Sequence, residues 1–105
     1  MATQARISKP IALDEHTAAH VAELFSAFSD ASRVRIISVL AKGAQNVGAL
    51  AQAVELSQPA VSHHLRALRQ LRLVWTRKDG RQVFYHLDTH VAKLFEHGLE
   101  HIQNG

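Results

Sequence analysis

The chain has 105 residues, enough for one domain, and a formal charge of +3. It contains no cysteine, which excludes disulfides, thiolate metal sites and thiol redox switches. No apolar run reaches the length of a membrane span and the start lacks the apolar core of a signal peptide, so the expected location is the cytoplasm.

Residues 1–13, with Pro10, carry no helical period and read as a flexible N-terminal arm, leaving 14–105 as a single domain. Asp14 is a cap for a first helix running to about Phe28, with Val21, Leu24, Phe25 and Phe28 at helical spacing. Asp30 caps a second helix whose apolar positions are Val34, Ile37, Val39 and Leu40, ended by Lys42-Gly43. A short third helix places Val47, Leu50, Ala51 and Val54 at i, i+3, i+4 and i+7. Glu55-Leu56-Ser57 is a tight turn into a fourth helix, capped by Ser57, with Pro59 in the first turn where a missing N–H costs nothing. Val61, Leu65 and Leu68 form the buried stripe of that helix.

Two short helices joined by about three residues outline a helix-turn-helix. Leu73 to Arg77 then reads as a strand, Lys78-Asp79-Gly80-Arg81 as a turn centred on Asp-Gly, and Gln82 to Leu87 as the returning strand. From about Thr89 the helical period resumes, with Val91, Leu94, Phe95, Leu99 and Ile102 apolar. The expected fold is mainly α with a β-hairpin wing, in the order ααααββα.

The charge is unevenly placed. Residues 57–81 hold six basic side chains against one acid, while residues 1–56 balance at five and five. Such a segment is the footprint of a phosphate-binding surface, although charge alone does not separate it from a solvated patch. On the fourth helix, Gln58, Ser62, Arg66 and Arg69 form the polar ridge opposite the apolar stripe, with His63 alongside and Ser57, the cap, as a further candidate contact at its start. Gln pairs bidentately with adenine and Arg with guanine, which makes this ridge a candidate reader of base edges. Arg77, Lys78 and Arg81 on the hairpin suit backbone or minor-groove contact. The conjunction of turn, capped helix and basic hairpin, in that order, points to double-stranded DNA.

The sequence here resembles the ArsR/SmtB-type metalloregulatory repressors. The likeness is carried by Phe28 to Ile36, by the stretch Leu56-Ser57-Gln58-Pro59-Ala60-Val61-Ser62-His63-His64-Leu65, by the wing from Arg77 to Tyr85, and by Asp88-Thr89-His90-Val91. It covers about residues 15–103. The resemblance implies a homodimer that dimerises through its first and last helices, represses operator DNA in the apo state and releases it on binding inducer. It also implies a transcription regulator and not an enzyme. Family sites on the third helix depend on cysteines and are excluded. What remains is a site on the last helix, built from Asp-x-His near its start and a His near its end.

Asp88 and His90 match the first pair and His101 the later ligand. Residues at i and i+2 within a helix face nearly opposite ways, so the pair converges only if Asp88 lies outside the helix, where it would also serve as a plain N-cap. His90 and His101 share a face but stand about 16 Å apart along the axis, so one ion can join them only across an antiparallel copy of the helix. Gly98 falls in the apolar stripe and permits close approach of two helices. The family pattern breaks at the fourth ligand, where Asn104 stands in place of His or Glu; His97 or water is the candidate substitute, and Glu100 points off the face. Imidazole and carboxylate donors suit Zn²⁺ first, and Co²⁺ or Ni²⁺ after it. A His101 ring holding an ion through one nitrogen is also expected to donate its other N–H to a carbonyl near Arg72, linking the site to the recognition helix.

His63 and His64, adjacent and about 100° apart, cannot readily share an ion. His16 and His20 form an i, i+4 pair on the first helix, read either as solvent-exposed or as a separate weak site. A repressor of the same fold with no metal site, answering to another ligand, is the alternative to the metal reading.

Overall fold

A computed structural model describes residues 9–105. Of the arm expected over residues 1–13, residues 1–8 lie outside the described residues, and 9–13 enter the first helix without helix or strand of their own. Helix α1 spans Glu15–Ser26, with the Asp14 carboxylate accepting from Thr17 N–H at 3.0 Å. That bond holds the Asp14 carboxyl below its ordinary range, so the cap acts at neutral pH and is lost as acid protonates it. The helix was expected to reach Phe28. It ends at Ser26 and tightens into a 3₁₀ turn, Ala27–Ser29, pinned by the fully buried Ala27.

Helix α2 (Ala31–Leu40) is the centre of the molecule, touching α3, α5 and the second wing strand. Its buried face is Ile36, Ile37 and Leu40. The expected set had Val34 and Val39, which are only half-buried, and omitted Ile36, because a helix packed on several sides buries a wider arc than a single stripe. Asp30 sits at the cap position with no side-chain capping bond; its carboxylate is turned towards Arg33 and His64 instead.

Helix α3 (Val47–Val54) is capped by Asn46, whose Oδ1 accepts from Ala49 N–H at 2.8 Å. It packs Leu50, Ala51 and Val54 against Val61, Leu65 and Leu68 of α4 (Gln58–Gln70), the face read from the sequence. The turn between them is closed by Glu55 in the left-handed region (φ 57°, ψ 44°). A side chain there costs about 1 kcal/mol that glycine avoids. Glu55→Gly is therefore expected to raise unfolding free energy by up to about 1 kcal/mol, less the extra freedom of the unfolded chain. Denaturant titration checks this, and a clear loss of stability would show that the Glu55 side chain contributes to the turn.

The wing is antiparallel, β1 (Val74–Asp79) against β2 (Gln82–Leu87), with Asp79 opposite Gln82. The expected turn centred on Asp-Gly shifts by one residue: Asp79 still pairs, and the two-residue loop is Gly80-Arg81. Gly80, at φ 64°, is the only loop residue of positive φ, the pattern of a II′ turn with glycine first. Two ties hold the wing to the helices. Gln45 and Tyr85 exchange backbone hydrogen bonds (3.2 and 2.8 Å), and Asn46 Nδ2 donates to Gln82 Oε1 at 2.6 Å.

Helix α5 (Thr89–Asn104) buries only Val91. Further along, Leu99 and Ile102 (79% exposed) face outward, as do Val21 and Phe25 (50% exposed) of α1. No helix among the described residues is long and apolar enough to cross a membrane.

Candidate nucleic-acid interface and metal half-site

The N-terminus of α4 is built by Ser57, whose Oγ accepts from Ala60 N–H at 3.2 Å and keeps its own proton free to donate outward. Burial of Val61, Leu65 and Leu68 at 0–1% exposure fixes the rotation of the helix. Gln58, His63, Arg66 and Arg69 are consequently exposed, and Ser62 is half-buried beside them. Arg77, Lys78 and Arg81 are exposed on the wing. Alternation along β1 sends Arg77 and Lys78 to opposite faces, and Arg81 lies in the loop. The α4 residues thus share one ridge, whereas the three wing cations do not share a face.

Three contacts behind this surface were not foreseen. His64, a neighbour of the ridge, turns inward: Arg33 Nε donates to its Nδ1 at 3.3 Å, and Asp30 Oδ2 lies 3.5 Å from the same nitrogen. Arg33 Nε also stands 3.7 Å from Asp30 Oδ2. This cluster ties the start of α2 to α4 and fixes the seat of one helix on the other. Arg35 Nη1 donates to Val54 O at 2.8 Å, satisfying an end carbonyl of α3. On the outer wing face Trp75 stacks on His86, its cross-strand partner, with ring centroids 4.0 Å apart and planes 10° from parallel. The Asp30–Arg33 spacing was the available signal for the first, and the hairpin register for the last.

On the last helix, Asp88 is the N-cap, in extended conformation (φ −58°, ψ 139°), and its Oδ2 accepts from His90 N–H (2.9 Å) and Val91 N–H (3.2 Å). The cap is therefore real, and it also meets the condition for convergence: Asp88 Oδ2 and His90 Nδ1 are 3.7 Å apart. Two donors on one tetrahedral ion at about 2.0–2.1 Å stand roughly 3.3 Å apart, so the pair fits a half-site after a small ring movement. The His90 ring is 93% exposed and free to make it. Among the described residues no three His, Asp or Glu side chains of the chain gather around one point. His101 is three turns further along α5 and lines, with His97, an apolar cleft walled by Phe25, Leu94 and Ile102. Without an ion, no hydrogen bond from His101 to a carbonyl near Arg72 is formed among the described residues, and the residue lines that cleft. Asn104 is the last, exposed residue of the helix. His16 and His20 lie side by side on α1, with ring centroids 4.5 Å apart.

Residues 30–76, from the start of α2 into the wing, match the sequence pattern described as "Bacterial regulatory protein, arsR family". A transcriptional repressor, the SmtB homolog of Synechocystis, is 44% identical over 101 residues, spanning 95% of this chain and 76% of the relative. The chain belongs to the arsR family. It is accordingly a winged helix-turn-helix transcription regulator and not an enzyme. Two further proteins widen the comparison. The cadmium resistance transcriptional regulatory protein CadC homolog of Staphylococcus aureus is 42% identical over 83 residues, 77% of this chain and 69% of that one. Among solved structures, a homodimeric winged helix-turn-helix DNA-binding domain from Mycobacterium bovis superposes with a TM-score of 0.75 at 29% identity, covering 89% of this chain and 94% of that one.

Proposed function

We propose that this arsR-family regulator is a homodimeric repressor that holds operator DNA in the metal-free state and releases it when a divalent ion, zinc first, engages a site shared between subunits. The observation that carries the reading is the half-site: an Asp88–His90 pair set at near-ligand spacing with no third His, Asp or Glu donor in reach among the described residues. A second copy of α5, running antiparallel, would bring His101 to that pair. The S. aureus relative's link to cadmium resistance and the homodimeric M. bovis neighbour support it.

The dimer rests on the apolar face that one copy leaves open, Val21 and Phe25 of α1 with Leu99 and Ile102 of α5. Gly98 lies on this face, and a Cβ there would meet nothing within 4 Å in the protomer; its advantage arises only when a partner helix approaches. Gln58, Ser62, His63 and Arg66 then read base edges in the major groove, Ser57 and the α4 N-terminus hold a phosphate, and Arg77, Lys78 and Arg81 grip the flanking backbone.

The residues that would hold the ion are Asp88 and His90 of one subunit and His101 of the other, with water or His97 completing the shell. Bound there, zinc would supply a cross-link between the two last helices. Asp88 closes the start of α5, and its own N–H donates to Leu73 O at 2.9 Å, immediately after the α4 turn. A change in how the two α5 helices cross thus reaches α4 through one backbone bond and alters the spacing of the paired recognition helices. Operator affinity of the sized dimer, measured with and without zinc, tests the reading. A fall of roughly 5- to 150-fold on adding zinc is expected. An unchanged affinity, or a monomer at micromolar concentration, would overturn it and favour a repressor answering to another ligand.

A further inference from the structure

The last-helix reading leaves His16 and His20 unused. Both are exposed, one helical turn apart on α1, and among the described residues neither ring makes a hydrogen bond. Their centroids are 4.5 Å apart and their planes inclined at 57°. An imidazole bound through one nitrogen has its centroid about 3.2 Å from the ion, so two rings at a right angle stand about 4.5 Å apart, against about 5.2 Å for a tetrahedral pair. The observed spacing is the right-angled one.

The other histidine pairs differ. His63 and His64 have centroids 6.0 Å apart, and His64 is committed to Arg33. His97 and His101 share the i, i+4 spacing but line the apolar cleft that the proposed dimer would cover. The His16–His20 edge lies about 110° round α1 from the centre of the Val21, Leu24 and Phe25 stripe, on the flank of that interface. Glu23, one turn on, is exposed on the same side and borders a shallow depression with His20. No third His, Asp or Glu side chain joins the pair among the described residues, so an ion held there would need water to complete its shell.

We propose that His16 and His20 form a second metal site on α1 for a tetragonal or octahedral divalent ion, Cu²⁺ before Ni²⁺, independent of the half-site on α5. Right-angled imidazole donors with open water positions suit these ions, and copper leads in affinity for any nitrogen donor set. Acid weakens the site because both rings must be deprotonated to bind.

Calorimetric titration of the full chain with NiCl₂, and electron paramagnetic resonance with Cu²⁺, test it. His90→Ala/His101→Ala protein is expected to keep one Ni²⁺ per protomer and a copper spectrum showing two equivalent nitrogens. Adding His16→Ala/His20→Ala is expected to remove both signals. Alanine at exposed helix positions preserves the fold, which circular dichroism confirms in the same samples. A quadruple variant that still binds Ni²⁺ with unchanged stoichiometry, or a copper spectrum lacking two nitrogens, would overturn the proposal. Operator release is not read in this experiment, so its outcome stands apart from the fate of the α5 reading.

Discussion

Replacing His90 and His101 together by Ala is expected to leave metal-free operator affinity within about twofold of wild type and to abolish its loss on adding zinc, a coupling of roughly 1–3 kcal/mol. Neither side chain is in the core, since His90 is 93% exposed and His101 edges the cleft, so the metal-free dimer should fold unchanged. The geometry makes a sharper demand. If each site takes Asp88 and His90 from one subunit and His101 from the other, His90→Ala and His101→Ala homodimers both lack every site. Mixing the two variants restores one site per heterodimer, because the subunit that keeps His90 meets the subunit that keeps His101. An intra-chain site would stay dead in every mixture. Fluorescence anisotropy on labelled operator, with single variants, their mixture and the double variant side by side, measures this. A mixture no more responsive than its parents would eliminate the inter-subunit arrangement.

Much of the fold was legible in the sequence. The α3–α4 pair was readable because Leu50, Ala51 and Val54 and then Val61, Leu65 and Leu68 keep strict helical spacing between good caps. The closeness of Asp88 to His90 was readable because Asp88 directly follows a strand, where a residue is extended enough to face His90. What could not be read depends on partners distant in sequence. Asp30 looked like a cap, but a carboxylate beside Arg33 and within 3.5 Å of a histidine 34 positions away has a competing partner. Ile36 was missed because α2 is wrapped on several sides, which no one-stripe periodicity reveals. The turn shifted from Asp79-Gly80 to Gly80-Arg81 because strand pairing extends until the first residue that needs positive φ. The apolar positions of α5 were correctly identified, yet Leu99 and Ile102 face outward in a single copy and Leu94 and Phe95 are only half-buried. They carry information about a second chain.

Arg66→Ala is expected to weaken specific operator binding by about 1–3 kcal/mol, roughly 5- to 150-fold, while barely changing affinity for unrelated duplex. The reason lies in placement. Arg66 is exposed on the same ridge as Gln58 and Ser62, and the buried Leu65 and Leu68 on either side keep the helix from rotating it away. A guanidinium held so can use its planar fork on a guanine edge. Arg81 provides the contrast. It sits in a two-residue loop at the wing tip, where a flexible cation finds phosphate but no fixed base. Arg81→Ala should weaken specific and non-specific duplexes alike and reduce the slope of log affinity against log salt by about one. Titrations of both variants on operator and scrambled duplex across a salt series separate the roles. Equal losses on the two duplexes for Arg66→Ala would reassign that residue to the backbone and move base reading to Gln58 and Ser62, nearer the start of α4.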